Sequence, residues 1–249
     1  MSSEWPHDPA GPDTPVAGSA ADVAALARGA ASLDAVDAMV SVCRACPRLV
    51  AWREQVARTR RAAFATETYW GRPAPSFGDP DAGILVVGLA PAAHGANRTG
   101  RIFTGDRSGD WLFRALWKAG YANQPTSTAG DDGLALTGAW VTAAVRCAPP
   151  QNRPTVGERD ACLPYLEREL AALDRVRVVV ALGGFAFGIV ASLAGLRPRP
   201  RFGHLAEVGL PDGRVLLGSY HPSQQNTFTG TLTEEMFDRV FSRARQLGG

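Results

Sequence analysis

Ile84-Leu85-Val86-Val87-Gly88-Leu89-Ala90-Pro91-Ala92-Ala93-His94-Gly95-Ala96-Asn97-Arg98-Thr99-Gly100-Arg101-Ile102-Phe103-Thr104-Gly105-Asp106 is the stretch from which the rest of this chain can be read. Its first four residues form an unbroken apolar run, the pattern of a strand buried on both faces. Its far end leads into Trp111-Leu112-Phe113-Arg114-Ala115-Leu116-Trp117, an apolar stripe at helical spacing. A long Gly-rich loop from a buried strand to a helix lies at the carboxyl edge of a parallel sheet, where α/β proteins place their ligands. Loops of this length without structure of their own are usually functional or disordered. This one carries His94, Asn97, Arg98, Arg101, Phe103 and Asp106, so it reads as functional.

Outward from that loop, strands and helices alternate. Ala139 to Val145 reads as a second strand and Val176 to Leu182, strongly β-branched, as a third. Between them Thr155 caps a helix running to about Leu173, and Gly183-Gly184 turns the third strand into a helix ending at Gly195. His204–Val208 and Arg214–Leu217 read as a closing strand pair around Pro211-Asp212-Gly213, and Glu234 to Leu247 as an amphipathic helix. Upstream, helical pattern begins near Ala20, resumes behind the cap Ser32, and returns over Leu49–Ala57. The expectation is a three-layer α/β/α fold with a central, mainly parallel four-stranded sheet. Residues 1–18, rich in Pro, Gly, Ser and Asp, are expected to be a disordered tail, and residues 19–249 a single domain.

The 249 residues are 45% apolar and 20% charged, ordinary globular composition. No apolar run approaches the ~18 residues of a membrane span, and the N-terminus lacks the basic-then-apolar pattern of a secretory signal. No membrane partner is expected, and the location expected is cytoplasmic. Net charge is +2, and Lys118 is the only lysine. Arginine dominance fits a GC-rich coding bias, and arginine also suits phosphate contact. The loop after Val87 has neither G-x-x-x-x-G-K-[ST] nor G-x-G-x-x-G, which excludes the common nucleotide cradles.

The four cysteines are Cys43 and Cys46, as C-x2-C, and Cys147 and Cys162. In an intracellular chain that pattern favours a metal site over disulfides. Four thiolates suit zinc, and they equally suit an iron–sulfur cluster, which tolerates irregular spacing. On spacing alone the two stand level. Either would staple the N-terminal helices to the α/β core.

Three polar loops follow three successive strands, a convergent arrangement. Asp106, before a helix, reads equally as an N-cap and as a catalytic carboxylate. Phe103 reads as core or as a platform for a planar ring. Asn152, in Cys147-Ala148-Pro149-Pro150-Gln151-Asn152, reads as a turn residue or as an amide facing the same pocket. His221 opens His221-Pro222-Ser223-Gln224-Gln225-Asn226-Thr227-Phe228, which makes a poor core and a plausible contact loop.

Gly88-Leu89-Ala90-Pro91-Ala92, the run Asn97 to Asp106, Arg146-Cys147-Ala148-Pro149-Pro150 and His221-Pro222-Ser223 together resemble the uracil-DNA glycosylases, closest to type B, or family 5. The likeness runs from about Val42 to the C-terminus. It implies a [4Fe-4S] cluster on Cys43, Cys46, Cys147 and Cys162, with zinc as the alternative. It implies a DNA partner, nucleoid association, a monomer, and excision of uracil. Leu89 and Ala92 are apolar, as in type B. The Asn by which other branches read uracil falls at Ala143, so activity is expected to extend to hypoxanthine, ethenocytosine and hydroxymethyluracil.

By that resemblance Phe103 stacks on the flipped base and Gly88, Ala90, Pro91 and Ala143 border its pocket. His221 bonds the departing base, Asp106 positions water or offsets positive charge on the sugar, and Asn152 orients the base or that water. Ser223, Gln224, Gln225, Asn226 and Phe228 contact DNA, with Gln224, Gln225 or Phe228 filling the vacated gap. A strand-nicking glycosylase uses an amine. The lone Lys118 sits in a predicted helix away from the loops, so base removal alone is expected. The competing reading is a non-catalytic, metal-stapled module that binds single-stranded or damaged DNA.

Overall fold

The computed structural model describes Trp5 and residues 7–248. At its centre β2 (Ile84–Gly88) pairs in parallel with β3 (Ala139–Ala143) on one side and β4 (Val178–Leu182) on the other. β6 (Val215–Ser219) continues the parallel set beyond β4. Two short edge strands, β1 (Phe77–Gly78) and β5 (Glu207–Gly209), add antiparallel partners, giving the order β1-β3-β2-β4-β6-β5. The expected four-stranded, mainly parallel centre is present in a six-stranded sheet, and the expected strand His204–Val208 overlaps β5, antiparallel at its edge. β1 was not foreseen because two residues carry no period.

Every residue of β2, β3 and β4 is buried, as apolar runs covered on both faces require. Alternation along β2 assigns the faces. Ile84 and Val86 pack with α5 (Arg107–Lys118) and α9 (Glu234–Gly248) through Leu112, Phe113, Leu116, Phe237 and Phe241. Leu85 and Val87 pack with α6 (Val156–Ala172) and α7 (Gly184–Leu193) through Leu166, Phe187 and Val190. The helices leaving β2 and β4 thus lie on opposite faces, so the connections diverge at the carboxyl ends of the two strands, where open α/β sheets place their ligands.

α1 (Ala20–Gly29) and α2 (Leu33–Val42) pack on α6 through Val23, Ala27, Val36, Val40 and Tyr165. Ser32 caps α2 by accepting from Ala35 N, and Thr155 and Glu158 form a reciprocal capping box on α6. α3 (Pro47–Thr59) starts at the proline after Cys46 and turns Leu49 toward Val145 and Cys147. Two short helices, α4 (Ala96–Thr99) and α8 (Gln224–Phe228), stand where loops were expected.

The tail reading needs correction. Residues 8–18 contain no helix or strand, but they are not detached from the body. Asp8 pairs with Arg72, Ala17 is fully buried, and Ala17 O accepts from Arg44 N. Residues 1–4 and 6 lie outside the described residues. No described helix is long and apolar enough to cross a membrane.

Candidate active site

Gly88 and Ala143 are register partners at the carboxyl ends of β2 and β3, and both are buried. The Phe103 ring lies directly on Gly88, where an added Cβ would fall 2.5 Å from Phe103 Cζ. Phe103 holds a left-handed backbone, φ 54°, unusual for an aromatic residue and maintained by the loop around it. Its carbonyl presses on the Cα of Gly109, so only glycine fits there. Phe103 is buried at the edge of the core, and the His221 ring lies beside it, 6.3 Å between ring centroids and inclined by 31°. Gly183, after β4, packs against the His221 side chain, and Ser219 O accepts from Gly183 N at 2.7 Å. Four strand ends, those of β2, β3, β4 and β6, thus converge on one spot.

Asp106 is the N-cap of α5: its Oδ1 accepts from Gly109 N at 3.0 Å, and Ser108 N also donates to the carboxylate. Its Oδ2 lies against the Cα of Gly95, leaving no room for a Cβ. Burial raises the Asp106 pKa above the ordinary aspartate value, and the amide bonds only partly counter this. Oδ1 caps the helix while Oδ2 faces the loop at Gly95, so the two oxygens have different surroundings.

The loop arginines do something the sequence did not show. Arg98 is buried. It donates to His94 O and Gly105 O, pairs with Glu67, and lays its guanidinium 4.0 Å from the centre of the Phe64 ring. Arg101 is buried too, donating to Thr104 Oγ1, Ser127 Oγ and both oxygens of Asp132. Asn97 donates to Arg53 O and Ala93 O. These three are internal braces that satisfy loop carbonyls and fix Asp106 and Phe103 in place. His94 closes the loop's first turn against Tyr69, with 3.0 Å between Nδ1 and the hydroxyl.

Because Oδ2 of Asp106 rests on Gly95, Gly95→Ala must displace the carboxylate. A misplacement near 1 Å costs about 10²-fold in turnover. Weakened capping removes about 1 kcal/mol, or ~2–4 °C in Tm for a domain of this size. Single-turnover kinetics beside a melting curve measures both. A variant with wild-type turnover would place the carboxylate outside the chemistry.

Burial drives the His221 pKa down from 6.5 to about 4, so the ring is neutral at physiological pH. In the unfolded chain it titrates near 6.5. Stability from this group is therefore complete above pH 6.5 and is lost as pH falls toward 4, where the folded ring also takes its proton. The loss is on the order of 2 kcal/mol, allowing for the ring's remaining contact with water. Denaturant midpoints between pH 7 and 4.5 should fall less steeply for His221→Ala than for the wild type. Equal slopes would contradict the assignment.

The segment after His221 is ordered by its own polar groups. Ser223 Oγ caps α8 by accepting from Asn226 N, and Asn226 Nδ2 donates to His221 O at 2.9 Å. Gln224, Gln225 and Phe228 are exposed, with Arg107 stacked 4.3 Å from the Phe228 ring centre and bonded to Thr227. Two other expected site residues lie apart. Ala90 packs on the cysteine side with Leu49, Val145 and Cys147, while Pro91 is buried at the loop's start. Asn152 is exposed on a 3-10 turn, φ 56°, and no described contact links it to Phe103, Asp106 or His221.

The four cysteines line a single cavity bounded by Val23, Val40, Leu49, Val145 and Tyr165. Burial and neighbouring thiols raise Cys46 to about 11 and hold Cys147 and Cys162 above the ordinary thiol value. Cys43 ends α2, Cys46 caps α3, Cys147 follows β3 and Cys162 lies in α6. Four soft donors from four elements around one apolar cavity fit a thiolate-bound metal or cluster. Among the described residues no group of three His, Cys, Asp or Glu is drawn together to hold a single ion.

Phe103 on Gly88, His221 beside it and the helix-capping Asp106 in the same loop are the setting in which the comparisons are read. The model of the uracil DNA glycosylase superfamily matches residues 75–245. A type-5 uracil-DNA glycosylase of Mycobacterium bovis is 56% identical over 227 residues, covering 90% of this chain and 85% of the relative. One from Thermus thermophilus is 54% identical over 211 residues, 84% of this chain and 95% of the relative. A type-4 uracil-DNA glycosylase of Pyrobaculum aerophilum is 34% identical over 124 residues, about half of each chain. The chain belongs to the uracil-DNA glycosylase superfamily, in its type-5 branch.

Proposed function

We propose that this chain is a monofunctional DNA glycosylase of base excision repair that hydrolyses the bond between uracil and deoxyribose. The observation that carries the reading is the pairing of Phe103 with His221 at the carboxyl edge of the sheet, with Asp106 capping the helix that leaves the same loop, in a chain over half identical to type-5 enzymes. The non-catalytic module is not retained, because these relatives are named for an activity.

The target nucleotide leaves the stack at a cost of a few kcal/mol, least where it is mispaired. Its base enters above Gly88 and Ala143 and stacks on Phe103. The C1′–N bond breaks, the electron pair leaves with the base, and positive charge develops on the sugar. Neutral His221 donates to the base carbonyl as that negative charge grows. The Asp106 carboxylate offsets the sugar's charge and takes the proton of the water whose oxygen bonds to C1′. The amide of Asn152 is left to meet the base or that water once DNA is in place. Gln224, Gln225 and Phe228, exposed on α8, face the gap left in the duplex, while Ser223 and Asn226 hold α8 in shape.

Ala143 offers no amide to read uracil, and a floor of Gly88 and Ala143 supports acceptance of hypoxanthine, ethenocytosine and hydroxymethyluracil as well. Lys118, the only lysine, is not placed to serve a Schiff base: it pairs with Asp238 at 2.7 Å, between α5 and α9. Cys43, Cys46, Cys147 and Cys162 hold a [4Fe-4S] cluster that ties α2, α3 and α6 to the end of β3. Zinc, with Zn–S of about 2.3 Å, would draw the sulfurs within ~4 Å of one another. Four cysteines from four elements around one apolar cavity support the cluster, with zinc as the alternative. Nothing in the site needs a second copy of the chain, so it works as a monomer, at the nucleoid.

The test is an end-labelled duplex with one uracil. Strand scission only after alkali supports base removal alone; scission without alkali, or none at all, overturns the reading.

A further inference from the structure

Arg53 presents a problem of charge. It lies on the buried stripe of α3 with Leu49 and Val56 and is 1% exposed. Its Nη1 donates to Cys147 Sγ at 2.9 Å, its Nη2 donates to Cys43 O at 2.9 Å, and its Nε has no partner. A buried guanidinium ordinarily pairs with a carboxylate, because desolvating an unpaired charge is very costly. The nearby candidates are taken. Glu54 pairs with Arg44, and Glu158, which lines the cysteine cavity, pairs with Arg48. The guanidinium faces a cavity lined by four sulfurs and nothing else that carries negative charge besides Glu158.

We infer that Arg53 is the counter-charge of the cysteine-bound cluster and a hydrogen-bond donor to its Cys147 sulfur. The inference rests on the cluster assigned above. Four thiolates carry more negative charge than the iron core of a [4Fe-4S] cluster neutralises, so the occupied site is an anion buried in apolar surroundings. Of the two buried arginines that line the cavity, Arg146 is paired with Glu169, and Arg53 is left to supply the missing cation. Net charge and hydrogen bonds to sulfur are the protein's means of setting a cluster's potential and its hold on iron. A nearby cation and an N–H···S bond both favour the more negative, reduced state, and both stabilise the thiolates against protonation and loss of metal.

The residue also links the two sites. Its carbonyl accepts from Asn97 Nδ2 at 3.3 Å, and Asn97 belongs to α4 in the loop that carries Phe103 and Asp106. The cluster therefore holds α3, and α3 through Arg53 holds the base-pocket loop. An arginine is suited to this where a lysine is not. Its planar fork reaches the sulfur and the Cys43 carbonyl together, whereas an ammonium is a single point of charge.

The experiment uses the full chain purified without oxygen, as wild type, Arg53→Lys and Arg53→Met. Iron and sulfide per chain, the rate of bleaching of the visible absorption under a chelator, and the reduction midpoint are measured, with circular dichroism as the folding control. The expected order of bleaching is wild type slowest, then Arg53→Lys, then Arg53→Met. The span is on the order of tenfold, one charge-assisted hydrogen bond being worth about that factor. The midpoint of Arg53→Met shifts to more negative values. Should Arg53→Met fail to fold, Arg53→Lys decides, through faster bleaching than the wild type. Equal bleaching and equal midpoints in every folded variant overturn the role of Arg53 while leaving the cluster in place. A wild type free of iron and sulfide overturns the cluster itself, and the role of Arg53 with it.

Discussion

Asp106→Asn should leave the protein as stable as the wild type while lowering uracil excision by about 10²–10⁴-fold, the usual contribution of a positioned general base. Asn caps helices about as well as Asp, so the bond to Gly109 N survives the exchange. What goes is the charge on the oxygen beside Gly95 and its capacity to take a proton from water. Asp106→Ala loses the cap as well and melts lower. The pair of variants therefore separates two roles on one side chain. Excision by the wild type should also fail on the acid side through a pH above the ordinary aspartate value, because burial raises this carboxyl. Thermal melting beside single-turnover excision from a uracil-containing duplex reads all of this. Asp106→Asn with wild-type turnover would reduce the residue to a cap.

His221→Ala is expected to lower kcat by about 10²–10³-fold with little change in KM, as for loss of a donor aimed at charge that exists only in the transition state. The ring is neutral because burial holds its pKa near 4, so it donates a hydrogen bond without delivering a full proton. Its position is over-determined by Gly183 behind it, Asn226 on its carbonyl and Phe103 beside it. The penalty should shrink for bases that leave more easily as anions, since they need the donor less. Comparing uracil with 5-fluorouracil as the leaving base measures this. An equal penalty for both would mean that His221 holds the pocket in shape instead of stabilising the leaving group.

Much of the frame was legible in residue order. Ile84–Val87 and Val178–Leu182 are unbroken apolar runs, and only a sheet covered on both faces buries them. Ser32 and Thr155 announce their helices through side chains that satisfy amides the helix cannot. β5 overlaps the expected strand His204–Val208, but the edge strand β1 and the short helices α4 and α8 were not legible. Their order comes from tertiary packing and from side-chain bonds such as Asn226 to His221 O. Arg98 and Arg101 marked their loop in the sequence without revealing what they do there. An arginine in a Gly-rich loop looks like a phosphate ligand, and only coordinates reveal that loop carbonyls and Asp132 already occupy it. Arg53 left a usable signal. It sits at the spacing of Leu49 and Val56 on the apolar stripe of α3, where a charge requires a partner.

The central claim is that the capped carboxylate and the buried histidine at the end of the sheet remove uracil from DNA. Free uracil released from a uracil-containing duplex in one turnover, measured by mass spectrometry for the wild type and Asp106→Asn side by side, tests it most directly. The account predicts one uracil per duplex with an intact sugar–phosphate strand from the wild type, and almost none in the same time from the variant. No uracil from the wild type, or equal release from both, would contradict it.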